Sequence, residues 1–114
     1  MTAELAMALP VLVALTIGLV WLLSLGAAQL RVIDAARETA RAVARGDDVA
    51  AAVAAGEQVA PEGARVVVQG GGDGGGGRVV AEATARVSGP GGLFAVLPAV
   101  TVRAEAVAVA EETP

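Results

Sequence analysis

Cysteine and histidine are both absent from this chain of 114 residues, and so is lysine: all eight basic residues are arginine. Without cysteine there are no disulfides and no thiol chemistry; without either residue the usual zinc ligands are missing. The lack of histidine also removes the side chain that most often serves as general base at neutral pH. Ser24, Ser88 and the threonines have no His, Cys or Lys anywhere in the chain to activate them, so an enzyme is the least expected class and no cofactor is expected. A net charge of −4 argues against a sequence-independent phosphate-binding surface, and nucleic acid is not an expected partner. Aromatic residues are almost missing too, with one Trp, one Phe and no Tyr. A core must therefore be built from small side chains, chiefly Ala and Val.

Charge is absent from one long stretch. Between Glu4 and Arg31 the chain reads LAMALPVLVALTIGLVWLLSLGAAQL, Leu5 to Leu30, with Thr16, Ser24 and Gln29 as its only polar side chains. As a helix this run is ~39 Å long, enough to cross a hydrocarbon core of roughly 30 Å with some tilt. A helix satisfies its own backbone hydrogen bonds, so lipid is a permissible solvent for it. Pro10 either kinks this helix or limits its regular part to the residues that follow. A cleaved secretory signal is the alternative, with Gly26-Ala27-Ala28 as small residues for a peptidase. But the chain opens Met-Thr-Ala-Glu, without a basic region, and the run exceeds an h-region of about 7–15 residues. A buried soluble helix is disfavoured because the rest of the chain has too little apolar bulk to wrap it. Glu4 sits at the mouth of the run, where a carboxylate either stays solvated at the headgroups or takes a cationic partner.

Beyond the run, Arg31 to Arg45 (RVIDAARETARAVAR) continues without a helix breaker, and Ile33, Ala36, Ala40, Val43 and Ala44 form a narrow apolar stripe. Arg37, Arg41 and Arg45 make an i, i+4 row flanked by Asp34 and Glu38, which reads as a solvated face with weak ion pairs or as a contact patch. Gly46 ends the helix, and Asp47 or Asp48 caps a short second helix over Asp48 to Val59, weakened at Gly56 and closed by Pro61. Three strands follow: Arg65 to Gln69, Arg78 to Ser88 and Val100 to Ala110. The second places Ala81, Ala83, Ala85 and Val87 on one face; the third places Val100, Val102, Ala104, Ala106 and Ala108 on one face. Gly70 to Gly77 is a hairpin loop, because no Gly-Lys-Ser/Thr follows and a strand succeeds it, unlike a phosphate loop. In the second loop, Gly89 to Ala99, Phe94 either plugs the core or offers an apolar contact to a neighbouring subunit or lipid. The expected fold is α+β: a long N-terminal helix, half transmembrane and half amphipathic, a short second helix, and a three-stranded antiparallel sheet covered by the amphipathic half. Residues 1–30 form the transmembrane unit and residues 31–114 a small α+β domain.

Thr2-Ala3-Glu4-Leu5-Ala6-Met7-Ala8-Leu9-Pro10, an aliphatic helix, and then Ala35-Ala36-Arg37-Glu38-Thr39-Ala40-Arg41 resemble the TadE-like minor pilins, or pseudopilins, of the tight-adherence (Flp) type IV pilus systems. The resemblance covers about residues 1 to 46. The Ala- and Arg-rich remainder is similar, more weakly, to short members expected of high-GC actinobacteria. The resemblance implies a pilin-like fold and a subunit anchored in the cytoplasmic membrane. Prepilin peptidase would trim it and a Tad assembly platform would extract it into a pilus or its base, for pilus assembly and surface attachment. It implies an assembly motif at Glu4, Leu5 and Pro10, with Glu4 meeting the terminal amine of an adjacent pilin subunit, and a cleavage-site glycine on the N-terminal side of Met1. Arg37, Arg41 and Phe94 are the expected subunit contacts, and membrane lipid is the other partner. Orientation divides the two lines of reasoning. The arginines after the run favour a cytoplasmic C-terminus under the positive-inside rule, whereas the resemblance places residues 31–114 outside and is followed here. The alternatives are a single-pass accessory protein of a membrane complex without a filament, and a small secreted domain after signal cleavage.

Overall fold

The computed structural model describes residues 2–70, 77–88 and 99–109. Its dominant element is one helix, α1, from Ala3 to Ala44. At ~1.5 Å per residue its 42 residues account for about 63 Å of a molecule whose longest extent is 76 Å. Thr2, in extended backbone conformation, starts it: the Leu5 amide donates to Thr2 Oγ1 at 3.3 Å. Pro10 does not limit the helix, which runs on both sides of it; the ring only withdraws the amide that would have met the Ala6 carbonyl. At the other end the Gly46 amide donates to Val43 O at 3.0 Å and the Asp47 amide to Ala42 O at 3.1 Å, with Gly46 at φ +97°. This is a Schellman closure, and it needs a residue without a Cβ because L side chains rarely adopt that φ.

The turn delivers the chain into α2, Val49–Val59, which doubles back along α1. Asp48 caps it, accepting from the Ala51 amide at 3.3 Å. The two helices cross where Gly56 meets Thr39. A Cβ at Gly56 would lie 2.0 Å from Thr39 Oγ1 and 3.2 Å from the Ala35 carbonyl oxygen. Gly56, read from the sequence as a weak point of α2, is thus the place where the two backbones come closest. Thr39 is fully buried there and donates to the Ala52 carbonyl at 3.5 Å, so its hydroxyl is not stranded.

The strands are β1 (Arg65–Gly70), β2 (Arg78–Val87) and β3 (Val100–Val109), in an antiparallel sheet of order β1-β2-β3. Register pairs Arg65 with Thr84 and Thr84 with Arg103 in one row, and Val67, Glu82 and Glu105 in the next. The α+β architecture expected from the sequence is the one observed. Val79, Ala81, Ala83 and Ala85 of β2 are buried beneath α1, as the alternating pattern implies. One cluster joins Ala28, Val32, Ala35 and Ala36 of α1 to Ala60, Val66, Ala83, Ala85 and Val102. A second joins Ala40, Ala42, Val43 and Ala44 to Ala52, Val79 and Ala81.

Among the described residues, Val32, Val79 and Thr39 are the largest fully buried side chains. Each methylene-sized group contributes only about 0.8 kcal/mol, so stability depends on how closely helix and sheet approach. The buried stripe is rotated from the expected one: Val32, Ala35 and Thr39 join Ala36, Ala40 and Val43, while Ile33 lies half-buried at its edge. The reason is that α1 is covered on two sides, by the sheet and by α2, and the α2 side selects the smallest residues. Phe94 lies outside the described residues.

Candidate membrane and assembly interface

Among the described residues, nothing buries the most apolar part of the first half of α1. Its most apolar window has a mean hydropathy of 2.4 and none of it is buried. Leu5, Met7, Leu9, Val11, Leu12, Val13, and onward to Leu22 and Leu23 are exposed around the whole circumference, Met7 at 76% and Leu23 at 74%. An apolar surface of this size is far beyond what a soluble monomer carries, so lipid or other helices must cover it. Its two hydroxyl groups are satisfied within the helix. Thr16 Oγ1 donates to the Leu12 carbonyl at 2.8 Å and Ser24 Oγ to the Val20 carbonyl at 3.0 Å. Such back-bonding hides a hydroxyl from hydrocarbon.

Glu4 occupies the first turn of α1, exposed, where the unsatisfied amides of the helix start favour a negative charge. Leu5 and Pro10 follow on the same exposed segment. Arg37 and Arg41 are some 50 Å further along the rod at ~1.5 Å per residue, so the structure does not bring the two groups of predicted site residues together in one chain. They line an open groove of about 660 Å³ between α1 and α2, with Asp34, Glu38, Gln58 and Val59. Among the described residues neither arginine forms an ion pair with Asp34 or Glu38; the ion pairs fall elsewhere, at Arg45–Asp47 (2.9 Å) and Arg103–Glu82 (3.8 Å). Arg37 and Arg41 therefore present exposed guanidinium groups that are not neutralised locally.

Sequence reasoning missed the joint between the rod and the domain. Gln29, the last polar residue of the apolar run, donates from Nε2 to the Arg103 carbonyl at 3.1 Å, and Ala28 one residue earlier is already part of the core. The domain thus begins at the mouth of the apolar segment with no linker between them. A polar side chain one residue before the first arginine was the available signal, since an amide at that point must find a partner or reach water.

Comparison with known families gives one match: residues 1–41 fit the model of the family described as TadE-like protein. No curated protein and no solved structure matches the chain.

Proposed function

From a chain whose residues 1–41 match the model of the TadE-like family, we propose a minor pilin, or pseudopilin, of a Tad-type type IV pilus or related secretion apparatus. It acts by assembly and catalyses no reaction. The observation that carries this reading is the undivided helix α1: an apolar half left uncovered among the described residues runs straight into a half that is the backbone of the folded domain. Before assembly, lipid covers the apolar half. In a filament, the same surface packs against equivalent helices, and side-chain packing replaces acyl chains without a new hydrophobic driving force. Glu4 is then drawn from the headgroup region into a helix bundle, where a lone carboxylate costs several kcal/mol. The terminal amine of an adjacent subunit supplies the compensating charge. Arg37, Arg41 and Phe94 belong to the surface offered to other subunits, to the assembly platform, or to both.

In this reading residues 31–114 lie outside the cytoplasmic membrane and a prepilin peptidase acts on the N-terminal side. Burial of Ala28 and the Gln29–Arg103 hydrogen bond support retention of the apolar segment, since cleavage at Gly26-Ala27-Ala28 would remove part of the core. The arginines that follow the span favour a second reading, an accessory membrane protein with its domain in the cytoplasm. Glu4→Ala separates the two: in producing cells it should abolish surface pili at unchanged protein level, and normal piliation would refute the pilin role. A reporter fused after Pro114 that is active only in the cytoplasm would refute the orientation.

A further inference from the structure

The sheet has a membrane-side end, and the arginines gather there. β2 runs from Val79, packed near Ala40 and Val43, to Ala85, packed in one cluster with Ala28 and Val32; β1 and β3 therefore start at the end where α1 leaves its apolar half. Arg103 sets the level, because its carbonyl accepts from Gln29. Register places Arg65 in the same row and on the same outer face, through Thr84. Arg86, paired with Thr101, is about 7 Å nearer the membrane on that face. Arg31 stands on α1 itself as the first charge after the span.

All four are exposed. Among the described residues, Arg31, Arg65 and Arg86 form no ion pair, and Arg103 reaches Glu82 only at 3.8 Å with its side chain 66% exposed. The acids at this end are Glu62 in the turn before β1, Asp34 one turn beyond Arg31, and Glu82 and Glu105 in the next row of the sheet. Half of the chain's arginines thus ring the point where the helix emerges.

We propose that Arg31, Arg65, Arg86 and Arg103 form a collar that binds the phosphate groups of anionic phospholipids and seats the domain on the bilayer surface. The occupant follows from continuity with the span. A helix that crosses the hydrocarbon carries Arg31 to headgroup depth; Arg65 and Arg103, fixed to the same helix by Gln29 and Ala28, come close to that depth, and the long side chain of Arg86, about 7 Å nearer the membrane, reaches back to it. Guanidinium groups pair with phosphate oxygens through two parallel hydrogen bonds, which favours phosphate over water as their partner. Averaged over the lipids around the helix, the four arginines together change lipid association by about fivefold, most of it from the three on the sheet.

The inference rests on α1 spanning a bilayer and not on filament assembly, so normal lipid selection without pili, or pili without lipid selection, tells the two readings apart. The full chain is reconstituted in bilayers, and the association of spin-labelled phosphatidylglycerol relative to phosphatidylcholine is read from the immobilised fraction. A preference of about fivefold is expected at low salt, falling towards one in ~1 M salt, where the screening length is about 3 Å. The R65Q/R86Q/R103Q variant, which keeps most of the side-chain stems at exposed positions, should reduce the preference to about twofold or less, and R65K/R86K/R103K should retain most of it. The R37Q/R41Q/R78Q variant removes the same charge away from the membrane and should leave the preference intact. Circular dichroism of each variant confirms that the sheet is retained. Absence of a preference in the native chain, its persistence in R65Q/R86Q/R103Q, or an equal loss in R37Q/R41Q/R78Q would overturn the proposal.

Discussion

Replacing Gly56 with alanine adds one methyl group, and elementary propensity says that it should help: alanine in a helix interior is favoured over glycine by about 1 kcal/mol. The structure says the opposite. The new Cβ would stand 2.0 Å from Thr39 Oγ1, 3.4 Å from Thr39 Cβ and 3.2 Å from the Ala35 carbonyl oxygen. Thr39 is fully buried and β-branched, so rotating it away forces its hydroxyl and methyl group into other occupied space and gives up the hydrogen bond to Ala52. The Ala35 oxygen belongs to the backbone of α1 and cannot move without the helix. Overpacking of this kind costs roughly 1–3 kcal/mol, and a contact this short belongs in the upper part of that range. After subtracting the propensity gain, Gly56→Ala should destabilise the domain by about 1–2 kcal/mol.

The clash can be separated from other effects by a second change. Thr39→Ala removes the atom at 2.0 Å, so it should cost about 1 kcal/mol alone for the lost hydrogen bond and methyl group, yet lower the penalty of Gly56→Ala. A coupling of about 1 kcal/mol or more is expected between the two positions. The assay is hydrogen exchange of the strand amides in the full chain in mild detergent, which reads opening of the domain while the apolar half of α1 stays helical. If Gly56→Ala is as stable as the native chain or more so, helices α1 and α2 do not meet this closely and the explanation is wrong.

Asp48→Ala should remove the N-cap of α2 at a cost of about 1 kcal/mol, seen as faster exchange of the Ala51 and Ala52 amides with β2 little changed. Val79→Ala deletes two methyl groups from a fully buried site against α1 and should lower stability by about 2 kcal/mol, measured by thermal unfolding in detergent. The apolar half of α1 contributes nothing to either effect, so both should be insensitive to substitutions between Leu9 and Leu19; a dependence would mean that the two halves of the rod do not open independently.

The features that read directly from sequence are those governed by local rules. The run from Leu5 to Leu30 needs only its length and lack of charge to declare that it prefers an apolar environment, and Gly46 and the Asp47-Asp48 pair mark a helix end and a helix start by requirements of single residues, a positive φ and a side-chain acceptor, the structure choosing Asp48 as the cap. The alternation in Arg78 to Ser88 separates buried from exposed positions because a strand has a period of two whatever it packs against. By contrast, the buried stripe of α1 was displaced by a residue or so, because a helix made largely of Ala and Arg has no bulky side chains to mark its inner face. The expected ion pairs of Arg37 and Arg41 were also not found, since three-residue spacing permits an exposed pair without compelling it.

Sequence alone determined that this protein has a long uncharged apolar run followed without a breaker by an amphipathic helical stretch, a small-residue domain at its far end, and a sheet with one covered face. Those properties follow from the polarity and period of adjacent residues. Only the tertiary structure decided that Gly56 and Thr39 must meet, that Gln29 holds β3 against the end of the apolar run, and that residues as far apart in the chain as Gln29 and Arg103 stand at one level. Each depends on the distance between segments far apart in the chain, and no local pattern encodes that distance when so many side chains are as small as alanine.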